Sequence, residues 1–140
     1  MHIAQPAYAC AILRDDHGRF LLEQRDRDRR TAPGRLTCFG GGREAHESSL
    51  GCLRRELDEE LGWQPARLSA AVDLFVAGRW IARFFSARFD AELGALAVEP
   101  GRQAVLVAPT SLASAPLSSW HRAVLAAWLC GRRRVCLPAR

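Results

Sequence analysis

The stretch GGREAHESSLGCLRRELDEELGW, residues 41–63, holds six acidic residues, with Glu59 and Glu60 side by side near its end. Crowded carboxylates repel, so a chain tolerates them when they are solvated, paired or holding a cation. The spacing predicts a helix over residues 47–61, closed by Gly62 as a C-cap. At ~100° per residue, Leu50, Leu53, Leu57 and Leu61 fall in one arc, the expected buried stripe. Glu56, Glu59 and Glu60 fall in the neighbouring arc, on the flank of the core face. Their i, i+3 and i+4 spacing makes them spatial neighbours.

Like charges so placed cost a helix a few tenths of a kcal/mol per pair. A hard divalent cation offsets that cost. Mg²⁺ takes oxygen ligands, keeps several waters and bridges to substrate phosphates. Arg55 can pair with one carboxylate and orient it while the others hold metal. Glu47, at the helix start, is favoured by the helix dipole. The simpler alternative is a solvated acidic face paired with Arg54 and Arg55. The glycines that precede the helix weigh against it. Gly40, Gly41 and Gly42 let the main chain approach a ligand closely, and a glycine loop feeding a helix N-terminus suits an anion.

Outward from this segment, residues 7–14 and 19–24 read as strands joined by the turn DDHG. Residues 36–39 form a short strand running into Gly40. Residues 67–76 and 80–89 read as a hairpin turning at 77–79, and 103–108 as a further strand. A second helix is expected over 118–130 with a Ser N-cap. The charged segment 25–35 reads as an exposed loop, with a phosphate-gripping role for Arg25 or Arg27 as its less ordinary reading. The basic tail, about 131–140, is expected to be loosely held. Interleaved strands and helices place the chain in the α/β class, a mixed sheet with helices on both faces.

The 140 residues make one domain, and the hydrophobic share of 49% supports a core. All 20 basic residues are Arg. A coding bias explains that most simply, but Arg also grips phosphate with a planar fork, and the net charge of +5 fits an anionic substrate. Five cysteines with no C-x-x-C pair point to reduced thiols rather than a disulfide frame or zinc site. With no apolar run of about 18 residues and no leader pattern, the sequence reads as a soluble, cytoplasmic protein without a membrane partner.

Gly41, five residues, Glu47, seven residues, then Arg55-Glu56-Leu57-Asp58-Glu59-Glu60-Leu61-Gly62-Trp63 resembles the Nudix box at every fixed position. The preceding FLLEQR is similar to the family's usual strand. The resemblance implies the Nudix fold, an α/β/α sandwich around a mixed sheet. It implies Mg²⁺- or Mn²⁺-dependent hydrolysis of a nucleoside diphosphate linked to another group. By position, Glu56, Glu59 and Glu60 look like the carboxylates that bind metal or activate water, with the Gly40 carbonyl as a main-chain ligand. Arg55 looks like the residue that orients them, supported by Glu47. Gly41, Gly42 and Arg25 are expected on the substrate. Many members use one more acidic residue downstream; Glu99 is the first choice here, ahead of Glu92 and Asp90.

Two positions depart from the commonest pattern: Phe39 replaces Pro, and His46 stands where Gly usually precedes the first box Glu. Neither removes a metal ligand. Gly78 and Trp80 occupy places where some subfamilies carry a marker Pro or Tyr. Trp80 is offered to a nucleobase or to the core, with the core favoured, as it is for Phe84, Phe85, Phe89, Trp120 and His121. A nucleotide-type small molecule is the expected partner, and members are often homodimers. Two alternatives stand beside this reading. One is hydrolysis at RNA 5′ ends, motivated by Arg132, Arg133 and Arg134, although nucleic acid is not the favoured partner. The other is a non-catalytic nucleotide sensor, which the intact glutamates oppose.

Overall fold

Side chains alternate across a strand, and in the first strand, β1 (Tyr8–Arg14), both faces are buried. Ala9, Ala11 and Leu13 join one core; Cys10 and Ile12 join another on the opposite face. A strand apolar on both sides belongs in a sheet covered on both sides. The structure is a computed structural model that describes residues 4–139.

The remaining elements follow in order: β2 (Phe20–Gln24), β3 (Leu36–Thr37), β4 (Phe39–Gly42), α1 (Ser49–Leu61), β5 (Ser69–Val76), β6 (Arg79–Arg88), β7 (Gln103–Val107), α2 (Ser119–Leu129) and β8 (Arg134–Leu137). The strands form one mixed sheet. β6 lies parallel to β1 and antiparallel to β5, and β8 lies parallel to β5. Cys52, Leu53, Leu57 and Leu61 of α1 pack on the Ala9 face; Val124, Leu125 and Ala127 of α2 pack on the Cys10 face. This is the α/β/α sandwich with a mixed sheet that the sequence implies.

One irregularity builds the site. β1 and β2 pair only at Arg14 and Phe20. Beyond that pair the segment β3–β4 enters between them: Thr37 pairs with Glu23 of β2, and Gly40 with Cys10 of β1. β7 covers the other edge of β2. The sheet is therefore parted where the glycines lie.

The helix boundaries hold closely. Ser48 caps α1, its Oγ accepting the Gly51 N–H at 3.0 Å, and Gly62 ends it in the left-handed conformation at φ 58°. Glu47 thus sits just outside the helix. Phe84, Phe85 and Phe89 are core, as expected.

Two expectations need correction. Leu50 is not in the buried stripe; it is 39% exposed. The buried arc is turned instead towards Ser49, Cys52 and Glu60, because the side-chain-free glycines of β4 let that side of the helix sink against the sheet. Among its described residues the basic tail is not loose; Arg140 lies outside them. Residues 134–137 form β8, and Val135 enters the α2-side core.

Candidate active site

The three box glutamates of α1 lie in different environments. Glu60 is 1% exposed, and its Oε1 accepts the Gly40 N–H at 3.0 Å. Burial pushes its carboxyl up to about 8, with the Glu56 and Glu23 charges adding to the rise and Arg102 and the Gly40 N–H opposing it. Glu56 is largely buried, and burial raises it as well, against the pull of Arg55. Glu59 is half exposed and lies 3.5 Å from Arg55.

Gly41 is what admits Glu56. A Cβ there would stand 2.5 Å from the Glu56 Cδ and 2.6 Å from its Oε1. At Gly40 a Cβ would clash with the Ala9 carbonyl oxygen, far inside van der Waals contact, and the backbone has φ 145°. Both positions therefore require glycine, for the close approach read from the sequence.

Arg55 organises the outer side of the site. Its Nε and Nη2 donate to the two oxygens of Glu47 at 2.8 and 2.9 Å, and its Nη1 donates to Glu56 at 3.0 Å. A fourth bond, from Nη2, reaches the Gly42 carbonyl at 3.2 Å. Hydrogen bonds from Arg55 hold Glu47 down at about 2. His46, just before Glu47, takes φ 69°, the left-handed conformation that the usual glycine would adopt freely.

Glu99 reaches the site through the backbone. Its N–H donates to the Glu60 carbonyl at 2.9 Å, and the Ala97 N–H donates to the Leu61 carbonyl at 3.0 Å, so the loop is fastened to the end of α1. The Glu99 carboxylate accepts from Arg102 Nε at 2.6 Å. None of Asp90, Glu92 and Glu99 is on the cavity wall.

Two residues at the site had no role assigned from the sequence. Glu23, in the middle of β2, is 2% exposed and accepts from Arg102 Nη1 at 3.0 Å on both oxygens. Arg102 Nη1 also lies 3.0 Å from Glu60 Oε2. The signal for Glu23 was available: a carboxylate inside the apolar run FLLE must find a partner or a task. Arg102 carries no comparable signal, since only the fold brings its turn to Glu60.

These groups line a cavity of about 1400 Å³. Gly40, Gly41, Glu56 and Glu60 contribute acid and backbone; Arg25, Arg29, Arg30 and Arg102 contribute positive charge; Phe84, Leu117 and Trp120 contribute apolar wall. Gly42 and Glu59 are not on that wall. His121 is also there. Its Nδ1 accepts the Cys38 N–H at 3.0 Å, so the neutral ring carries its proton on Nε2. Burial, with the Arg25 charge, lowers its pKa to about 4. Trp120 and His121 thus line the cavity as well as pack. Trp80 does not. It stacks on Phe75 at 6.2 Å and donates to Asp73 at 3.1 Å.

The donor set is one of hard oxygens, which suits Mg²⁺ or Mn²⁺. Among the described residues, however, no three Asp, Glu, His or Cys side chains are gathered closely enough to hold a metal. Glu56 is engaged by Arg55, and Glu60 by Arg102 and the Gly40 N–H.

The NUDIX domain profile matches residues 4–128. A comparison with curated protein sequences finds no match. Among solved structures, a MutT protein from Methanosarcina mazei Go1 is similar with a TM-score of 0.71 and 20% identity, over 92% of this chain and 97% of that one. A MutT NUDIX hydrolase from Burkholderia pseudomallei is similar at TM-score 0.66 and 29% identity, over 88% and 98%. The NUDIX domain of Shewanella oneidensis NrtR, complexed with ADP ribose, is similar at TM-score 0.66 and 20% identity, over 86% and 83%. With a box complete at every fixed position, a sandwich that parts at its glycines and a domain match spanning most of its length, the chain belongs to the Nudix hydrolase family.

Proposed function

We propose that this protein hydrolyses a phosphoric anhydride bond in a nucleoside diphosphate linked to another group, a nucleoside triphosphate or nucleotide sugar among them, with Mg²⁺ as cofactor and Mn²⁺ as a substitute. The observation that carries the reading is the continuity of one cavity. It joins the carboxylates and glycine backbone to arginines and to an apolar wall with a neutral imidazole. A phosphate chain needs the first two features, and a nucleoside suits the third.

Glu56, Glu59, Glu60 and the Gly40 carbonyl would hold the metal. When bound it neutralises the diphosphate and lowers the pKa of a coordinated water. Arg55 fixes the direction of Glu56. Arg25, on the cavity wall, meets the phosphates, as does the Gly41 main chain, with Gly42 beside it. A box carboxylate takes the proton of the attacking water, and Glu99, whose carboxylate Arg102 holds at 2.6 Å, would have to leave that partner to share the task. The nucleoside lies against Phe84 and Trp120, with the His121 Nε2–H as a donor to a base acceptor.

The RNA-end alternative is the less favoured reading, since two of the three arginines that motivated it are engaged at the sheet edge. Arg133 donates to the Ala70 carbonyl at 3.2 Å, and the Arg134 guanidinium lies 4.6 Å over the Phe75 ring. Both belong to the sheet edge remote from β2 and β3.

The test is product analysis of the purified protein with Mg²⁺ and with chelator. The substrate panel holds dNTPs, oxidised dGTP, ADP-ribose, nucleotide sugars, dinucleoside polyphosphates and triphosphate RNA. A metal-dependent hit yielding a nucleoside monophosphate supports the proposal. Nucleotide binding with no turnover of any substrate contradicts it and favours the sensor reading.

A further inference from the structure

Arg102 stands between two buried carboxylates. Its Nη1 is 3.0 Å from both oxygens of Glu23 and 3.0 Å from Glu60 Oε2. Arg25 and Arg29 approach Glu23 from other sides, at 3.6 and 3.7 Å. Across the β2–β3 ladder from Glu23 lies Thr37, which is 5% exposed. Its hydroxyl has no hydrogen-bond partner among the described residues, and it lines the same cavity as Glu23, Glu60 and Arg102.

Charge decides what this arrangement can do. Two anions withdrawn from water need a cation beside them, and here the guanidinium supplies it. Glu60 is also a carboxylate expected to hold the divalent ion. A guanidinium and a divalent cation on the same carboxylate would repel strongly at these separations. One of them must yield, and Glu23 offers Arg102 a second anchor that it already grips with both oxygens. The Thr37 hydroxyl is an acceptor left open in the present arrangement. Native proteins rarely leave such groups without a purpose.

We propose that Arg102 is an internal counter-ion that exchanges with the divalent cation at Glu60, and that Glu23 is the positioning residue that retains Arg102 after the exchange. The displaced guanidinium stays on Glu23, gains Thr37 as an acceptor and turns its freed edge to the substrate phosphates. The inference rests on the metal-dependent reading of the site. It adds two residues that the box does not contain.

The experiment is calorimetric titration of Mn²⁺ into the full chain without nucleotide, with melting curves to confirm folding. Arg102→Gln removes the competitor and is expected to tighten Mn²⁺ binding roughly tenfold or more. Glu23→Gln leaves Arg102 dependent on Glu60 and is expected to weaken binding by a similar factor. The double variant separates exchange from simple charge. If Glu23 acts through Arg102, adding Glu23→Gln to Arg102→Gln changes affinity less than about threefold, a strong departure from additivity. Should Arg102→Gln fail to fold, Arg102→Lys keeps a charge without the fork and is expected to tighten binding more modestly. Unchanged or weaker Mn²⁺ binding in a folded Arg102 variant overturns the exchange, as does full additivity. Absence of Mn²⁺ binding in the unaltered protein overturns the metal reading itself, and the exchange with it.

Discussion

Arg55 grips both oxygens of Glu47, at 2.8 and 2.9 Å, from the helix turn that carries Glu56. Its Nη1 reaches Glu56 at 3.0 Å, so a residue outside the helix fixes the direction of one inside it. Lysine carries the charge but lacks the fork. Arg55→Lys is therefore expected to lower kcat roughly tenfold or more while the melting temperature moves little. Steady-state kinetics beside a melting curve checks this; kcat within twofold of the unaltered protein would remove Arg55 from the orienting role.

The neighbouring glycines separate stability from activity. An alanine Cβ at position 40 strikes the Ala9–Cys10 backbone, which cannot swing aside. Gly40→Ala is expected to cost on the order of 3 kcal/mol of stability. At position 41 the obstacle is the Glu56 carboxylate, at 2.5 Å. Gly41→Ala is expected to fold and melt near normally but lose most turnover, because Glu56 is pushed out of place. Denaturant unfolding and turnover on the two variants form the check. Equal loss of stability in both would contradict the assignment.

His46 departs from the usual box and keeps a glycine-like backbone at φ 69°. Relieving that strain should help. His46→Gly is expected to raise stability by roughly 0.5 kcal/mol, the relieved strain exceeding the cost of glycine's extra unfolded-state freedom, with turnover unchanged, as read from urea midpoints.

His121 sets a pH limit on the fold. Burial first, then the Arg25 charge, lowers its pKa from 6.5 to about 4. A depressed value means that the folded state favours the neutral ring. The contribution is complete above pH 6.5 and is lost as pH falls through that value towards 4 and below. Unfolding free energy is expected to drop over that window by on the order of 3 kcal/mol from this residue. His121→Gln, whose amide oxygen can still accept the Cys38 N–H, should flatten the drop. An unchanged profile would show that other groups cause it.

How far the sequence was legible depends on where each constraint lies. The box was readable because its residues sit at fixed spacing on one helix and its loop, where local geometry places them. The caps Ser48 and Gly62 were readable for the same reason. Leu50 was misjudged because helical periodicity gives the width of the buried arc but not its rotation, which the bare β4 glycines set. The tail was misjudged because its pairing partner, β5, lies some sixty residues earlier. Glu23 left a trace in an apolar strand, and Arg102 left none. Its position depends on the Glu99 N–H to Glu60 and Ala97 N–H to Leu61 hydrogen bonds, which exist only once α1 and that loop meet.

The central claim is that the buried Glu60, tied to the Gly40 N–H at 3.0 Å, serves the reaction rather than the fold. Glu60→Gln tests it most directly, since the amide oxygen can still accept that hydrogen bond and the volume is kept. Turnover of the best panel substrate is measured for both proteins at saturating Mg²⁺, with melting curves alongside. The account predicts a fall of roughly 100-fold or more in kcat with the melting temperature maintained. Turnover within a factor of a few, in a folded variant, would contradict it.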